Sequence, residues 1–264
     1  MLIFIGLGLH DEKDITLKGL EEARSCDKLF AEFYTSALAG AGVEKISALT
    51  GRDIETLGRR DIEEDAEDGI LKLAKSKKVG LLVAGDPLIS TTHVQLRLQA
   101  KELGIETRVV HNASIYSASA SISGLQNYKF GRSASVPFPQ KGFLPETPYD
   151  VVKENGLRGL HTLLFLDIRV DRGQRLMTAN EAMEILLDIE KKRGEGVFTE
   201  ETLCVVLGNV GAFECVLKAG KVKELIDQDF GPTPHSLIVP GELHFMEEEY
   251  LNEFAGLDSA PAKN

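Results

Sequence analysis

Along the first half of the chain, short apolar runs alternate with stretches whose apolar residues recur at helical spacing. Leu2-Ile3-Phe4-Ile5 is apolar throughout and stops at Gly6, which predicts a buried strand; Asp14 or Thr16 then caps a helix reaching about Ser25. Residues 27–33 (DKLFAEF) read as a second strand and residues 43–48 (VEKISA) as a third, short one. From Asp61, the stretch DIEEDAEDGILKLAKS repeats Ile62, Ala66, Ile70 and Leu73 with helical period, so its acids form a solvated face. Asp61 followed by Glu64 also fits a capping box. A buried strand at 79–85 (VGLLVAG), a helix from about Thr91 to Leu103 and a strand at 106–111 (ETRVVH) complete this half. Strands alternating with helices predict βαβ units and a parallel sheet covered on both faces.

Near His111 the texture changes. Residues 114–124 (SIYSASASISG) predict a small-residue helix ending at Gly124, and the proline-rich 137–148 (PFPQKGFLPETP) marks the expected domain crossover. A strand at 160–168 (LHTLLFLDI) follows. Thr178-Ala-Asn-Glu181 is a capping box that opens a helix to about Arg193. Then come a strand at 201–209 (ETLCVVLGN), a short helix at 221–226, a strand at 235–241 (HSLIVPG), a last helix at 242–254, and a frayed tail, DSAPAKN. No repeat of solenoid length occurs. The fold class expected is α/β in two domains: residues 1–112 with a parallel sheet, and residues 113–264 with a mixed one.

At 264 residues the chain can bury two cores of ordinary size. Lys and Arg total 30 against 41 Asp and Glu, a net charge of −11, with no basic block. That balance argues against nucleic acid as a partner. No apolar run approaches the ~18 residues that span a bilayer. The N-terminus lacks a basic region and a small-residue cleavage site, so it reads as a first strand rather than a signal peptide, and the expected location is cytoplasmic. Cys26, Cys204 and Cys215 form no CxxC pair, and the six histidines show no HxxxH or HxxE spacing, so no metal is expected.

Four strand-end loops carry the candidate chemistry. FIGLGLHDE begins like a dinucleotide fingerprint, but the third glycine of G-x-G-x-x-G would fall at Asp11, and Asp11 and Glu12 repel a pyrophosphate. The two glycines then simply turn the chain, although Asp27 or Glu32 could supply a ribose carboxylate. In residues 84–93 (AGDPLISTTH), Asp86 stands at the carboxyl edge of the sheet, where open α/β proteins bind ligands; a plain capped turn is an equal reading. Residues 163–171 (LLFLDIRVD) deliver Leu166, Asp167 and Arg169 to a strand end. In residues 230–241 (FGPTPHSLIVPG), prolines place His235 at the start of a buried strand, where a lone histidine is more often structural than catalytic. Ser25-x-x-Lys28 matches SxxK by spacing alone, SISG lacks the first glycine of a nucleophile elbow, and no P-loop occurs. No catalytic nucleophile is assigned.

Taken together, GLGL…DITLKGLEEA, AGDPLISTTH, PHSLIVPG and TANEAM resemble the tetrapyrrole methylase superfamily. AEFYTS (31–36), SIYS (114–117), YKFG (128–131) and GLHTLLFLDI (159–168) look like its archaeal-type diphthine synthase branch. The resemblance runs from Leu2 to about Tyr250. The first loop departs from the G-x-G-P-G-D-P of tetrapyrrole methylases proper, and Leu207-Gly208-Asn209 from the Leu-Ala-Arg expected of close relatives. The resemblance implies S-adenosylmethionine held in an interdomain cleft, with S-adenosylhomocysteine as product. Its implied contacts are Leu9, Asp86, Ile89, Ser114, Ile115, Leu166, Val210 and His235. It implies an enzyme that N-methylates the 3-amino-3-carboxypropyl group on a histidine of translation elongation factor 2, giving diphthine, and that works as a homodimer. The acceptor nitrogen must be unprotonated; Asp167 or His235 could take its proton, or a dry pocket could lower its affinity for one. The same fold also serves methyl transfer to a tetrapyrrole or corrin precursor, which would want basic residues around the cleft, and these loops offer few. A nicotinamide enzyme and a catalytically dead cofactor-binding module are the readings from other classes.

Overall fold

In the computed structural model, which describes residues 1–140, 143–169 and 175–257, β1 (Leu2–Gly6) is buried at every position, the signature of a central strand. Leu2 and Phe4 face one hydrophobic cluster, and Ile3 and Ile5 face another. Two apolar faces require cover on both sides. That cover comes from α1 (Leu17–Ser25), α2 (Val43–Thr50), α3 (Arg59–Glu63), α4 (Ile70–Ala74) and α5 (His93–Glu102). With β2 (Lys28–Glu32), β3 (Ile54–Thr56), β4 (Val79–Val83) and β5 (Thr107–Val110), β1 forms a parallel sheet of order β3-β2-β4-β1-β5. This unit comprises Met1–Ile115 together with Gly211–Phe213.

Two elements differ from the sequence expectation. VEKISA is not a strand but most of α2: Ile46 and Thr50 are buried four residues apart, and Thr50 Oγ1 donates back to Ile46 O at 2.9 Å. Gly51 closes the helix in the left-handed conformation. The edge strand β3, mostly exposed, follows two residues later. The helix expected from Asp61 is split into α3 and α4, with Gly69 in a non-helical conformation between them. Ile62, Ala66 and Ile70 are nevertheless all buried on the core side. The N-cap is Gly58, whose N–H donates to Asp61 Oδ2 at 2.8 Å, so Asp61 closes the turn from its third position instead of opening it.

The second unit is Tyr116–Val210 with the residues from Glu214 onward. After α6 (Ile115–Ser123) its elements are β6 (Ala134–Val136), α7 (Thr147–Gly156), β7 (Thr162–Leu166), β8 (Ile168–Arg169), β9 (Arg175–Leu176) and α8 (Ala179–Arg193). β10 (Leu203–Gly208), β11 (Val216–Lys221), α9 (Val222–Leu225), β12 (His235–Val239) and α10 (Phe245–Ala255) follow. Its sheet, β11-β10-β12-β7-β6, is mixed: only the β6–β7 pair is parallel. A core around Leu164, Met183, Leu186, Phe198, Val206 and Leu237 lies against it. The proline-rich loop falls inside this unit. The tail expected to fray, and Val170 and Asp171 of the third loop, lie outside the described residues. No helix among the described residues is long and apolar enough to cross a membrane.

Candidate functional site

β1, β4 and β5 are adjacent and parallel, so their C-terminal turns open on one edge of the first sheet. Those turns carry five of the expected residues: Leu9 after β1, Asp86 and Ile89 after β4, and Ser114 and Ile115 after β5. Gly85 N donates to Gly8 O at 2.7 Å and Gly8 N to Gly85 O at 3.4 Å, which joins the first two turns. Gly6 has no room for a side chain, because a Cβ there would lie 2.6 Å from Gly85 O and 2.7 Å from Asn112 Cβ. Glycine is required at that position for close approach.

Asp86 is nearly buried, and its carboxylate is spent on the protein itself. Oδ2 accepts from Asn112 N at 3.3 Å and lies 2.9 Å from His111 Nδ1; Oδ1 accepts from Leu88 N at 3.2 Å. Ile89 N donates to Asp86 O at 3.3 Å, so Ile89, 43% exposed, is set by the same turn. Asn112 Nδ2 donates to Gly6 O and to Asp14 O, both at 3.0 Å. Ser114 is buried, and Ile115 and Leu9 are half-buried. The structure therefore brings all five residues of this unit to one place. Gly211 packs on Leu9 there: its φ is +100°, and a Cβ would lie 2.7 Å from Leu9 Cβ.

In the second unit, β7 and β10 end at the edge where antiparallel β12 begins. Gly208 pairs with His235 and Phe165 with Ser236, and one step beyond the latter pair Leu166 lies opposite His235. Val210 follows β10 by two residues. Leu166, Val210 and His235 thus share one sheet edge. Between Gly208 and Val210, Asn209 takes a left-handed φ of 55°, a conformation asparagine tolerates better than arginine or other long side chains. Its N–H donates to Pro234 O at 3.0 Å, while its Oδ1 is buried without a hydrogen-bond partner.

His235 has no free ring nitrogen, and the Asp167 carboxylate braces backbone N–H groups. His235 Nδ1 accepts from Ala179 N at 3.2 Å, the first residue of α8, so Nε2 carries the hydrogen and donates to Gly231 O at 3.2 Å. Burial holds the ring below the usual histidine range, against the opposing pull of nearby carbonyls. Asp167 Oδ2 accepts from Phe138 N and Oδ1 from Ile168 N, both at 2.9 Å, so its carboxylate fixes two turns. Sequence reasoning passed over His10, whose Nδ1 is buried without a partner beside Leu9, and Asn112 and Gly211 as well. Of these, only Asn112 had a signal, standing directly after a strand at the carboxyl edge. Gly211 is placed by packing, and His10 by its N–H on Asp14 Oδ2 at 2.7 Å and its carbonyl on Gly40 N at 2.9 Å.

The edge of the first sheet thus presents half-buried Leu9 and Ile115 and exposed Ile89, with the exposed His111 imidazole 2.9 Å from the Asp86 carboxylate. No group of metal-ligating side chains occurs among the described residues. The family description "Tetrapyrrole (Corrin/Porphyrin) Methylases" matches residues 1–225. With the two-sheet fold, that match defines the class of protein: the chain belongs to the tetrapyrrole methylase family and is a methyltransferase. Within the family it groups with the diphthine synthases, and it is an enzyme of diphthamide biosynthesis. The diphthine synthase of Methanocella arvoryzae is 49% identical across 97% of this chain and 99% of its own length. That of Methanocaldococcus jannaschii is 48% identical across 95% and 97%. A crystal structure of diphthine synthase, 38% identical, superposes with a TM-score of 0.88 over 97% of this chain and 96% of that one. These relatives do not favour a tetrapyrrole or corrin substrate.

Proposed function

We propose that the chain transfers methyl groups from S-adenosylmethionine to the amino nitrogen of a 3-amino-3-carboxypropyl-histidine on translation elongation factor 2, yielding diphthine and S-adenosylhomocysteine. The observation that carries this reading is the near full-length likeness to diphthine synthases, the bound turns of the first sheet edge providing a seat that suits the cofactor. Leu9, Asp86, Ile89, Ser114 and Ile115 hold it from the first unit, and Leu166, Val210 and His235 contribute from the second. When bound, S-adenosylmethionine supplies a methyl group already activated by a positive sulfur.

The chain's own part is alignment and exclusion of water. Leu9, Ile89 and Ile115 offer apolar surface; Asp86 acts through the backbone it fixes rather than as a base. Alignment of acceptor and methyl carbon supplies most of the acceleration, for which effective molarities of about 10⁵–10⁸ M are attainable. With His235 and Asp167 committed to backbone N–H groups, the acceptor amine loses its proton to solvent before it enters a dry site, where burial favours the neutral form. The reaction belongs in the cytoplasm, where an elongation factor works, and the net charge of −11 favours basic regions of that partner. The active species is a homodimer, to be checked by sedimentation equilibrium.

The test is incubation with methyl-labelled S-adenosylmethionine and elongation factor 2 carrying the unmethylated precursor. Label on the factor's modified histidine is the expected result. Label absent from the factor but accepted by a tetrapyrrole overturns it.

A further inference from the structure

We propose that Asn112 is the positioning residue of the cofactor seat: its side chain ties the turn after β1 to the turn after β5, and its N–H reaches Asp86 of the turn after β4. The inference rests on the S-adenosylmethionine reading above and goes beyond it, because Asn112 is not among the contact residues. Every polar group of its side chain is committed, and to main chain alone. Nδ2 donates to Gly6 O and Asp14 O at 3.0 Å each, and Oδ1 accepts from Ala113 N at 2.8 Å. Its own N–H reaches Asp86 Oδ2 at 3.3 Å.

These partners bracket the seat. Gly6 and Asp14 are the two ends of the loop that carries Leu9. Asp86 begins the turn that carries Ile89. Ala113 leads directly into Ser114 and Ile115. Residues 98 and 106 positions apart in the chain are thus held by one amide. The carbonyls of Gly6 and Asp14 both point at the same NH₂, an arrangement only a group with two donors satisfies. A Cβ at Gly6 would lie 2.6 Å from Gly85 O and 2.7 Å from Asn112 Cβ, so the junction needs glycine there. Seats for ligands lose affinity when such supporting bonds are removed even though no contact residue changes.

The test uses isothermal calorimetry with S-adenosylhomocysteine on the full chain, alongside thermal unfolding. Asn112→Ala removes both donors; Asn112→Asp keeps the shape and sets a carboxylate oxygen against two carbonyls. Asn155→Ala is the control, since Asn155 Nδ2 likewise bridges Arg132 O and Thr162 Oγ1, at 2.8 and 2.9 Å, at the far end of β7 from Leu166. The expected result is a dissociation constant raised about ten-fold or more in both Asn112 variants and unchanged in the control. A merely structural brace would lower the thermal midpoint in all three and leave the affinity of the folded protein as it was; that result overturns the proposal. Wild-type protein that binds no S-adenosylhomocysteine would instead remove the cofactor reading. Should the Asn112 variants not fold, hydrogen exchange of the wild type decides. Without ligand, the amides of residues 7–14 and 113–115 must then exchange with one common opening free energy, and separate openings count against a shared support.

Discussion

Asp86, Gly211 and His235 each do something at the residue scale that their type does not announce. Asp86 lies at the carboxyl edge of the first sheet, yet its oxygens hold His111, Asn112 and Leu88. Asp86→Ala leaves the part-buried N–H groups of Leu88 and Asn112 unpaired and is expected to cost about 1 kcal/mol of stability. It should also weaken S-adenosylhomocysteine binding, measured by calorimetry below the unfolding transition. Gly211→Ala adds a Cβ 2.7 Å from Leu9 Cβ at a φ of +100°, so it moves Leu9. Binding about ten-fold weaker is the expected outcome, since contacts pulled apart by about 0.5–1 Å lose roughly a quarter to a half of their dispersion energy. For His235, burial and the bond from Ala179 N keep the ring neutral with hydrogen on Nε2. Its NMR titration midpoint should lie below the ordinary histidine value of about 6.5, and a midpoint at or above it would contradict the assigned tautomer.

At the scale of elements, local signals settled what local chemistry controls. The capping box that opens α8 is present as read: Thr178 N donates to Glu181 Oε2 at 3.0 Å and Glu181 N to Thr178 Oγ1 at 3.2 Å. Thr178→Ala should lower stability by about 1 kcal/mol in urea unfolding, without altering the slope. By contrast, VEKISA reads equally as a short strand, and only the burial of Ile46 and Thr50 four residues apart makes it helical. β3, β6 and β11 were missed because a strand of three residues, or one with lysines along it, carries no clear alternation. Their pairing partners create them.

The whole molecule has a pH dependence that follows from polar groups buried far apart in sequence. Burial pushes the Glu247 carboxyl up, but bonds from His244 N–H, the Lys129 ammonium, Gln126 N–H and His161 outweigh it and hold it at about 2. His161 donates from Nε2 to Glu247 at 2.9 Å and accepts Gly241 N–H at Nδ1, and burial lowers its affinity for a proton. A carboxyl held below its unfolded value stabilises the fold above that value, and its share is lost as pH falls from about 4.5 toward 2. For Glu247 that share is on the order of 3 kcal/mol. His161 and His235 stay neutral when folded, whereas their unfolded forms take up protons below about 6.5, so stability declines from there. Thermal midpoints measured from pH 8 to pH 3 should fall below 6.5 and more steeply below 5. A flat curve would contradict the charge states assigned to these buried groups.

Period and punctuation alone determined that this chain makes a parallel α/β unit followed by a second α/β unit, because apolar alternation, caps and glycine stops act within a few residues. The same turns, taken jointly, pointed to the methylase family and to its eight candidate contacts. Tertiary structure alone decided what those residues do. It turned Asp86, Asp167 and His235 from candidate chemistry into braces, since a hydrogen bond to a distant backbone leaves no trace in the local pattern. It also brought Asn112 between Gly6 and Asp14, because only the adjacency of β1 and β5 in the sheet sets their ends side by side.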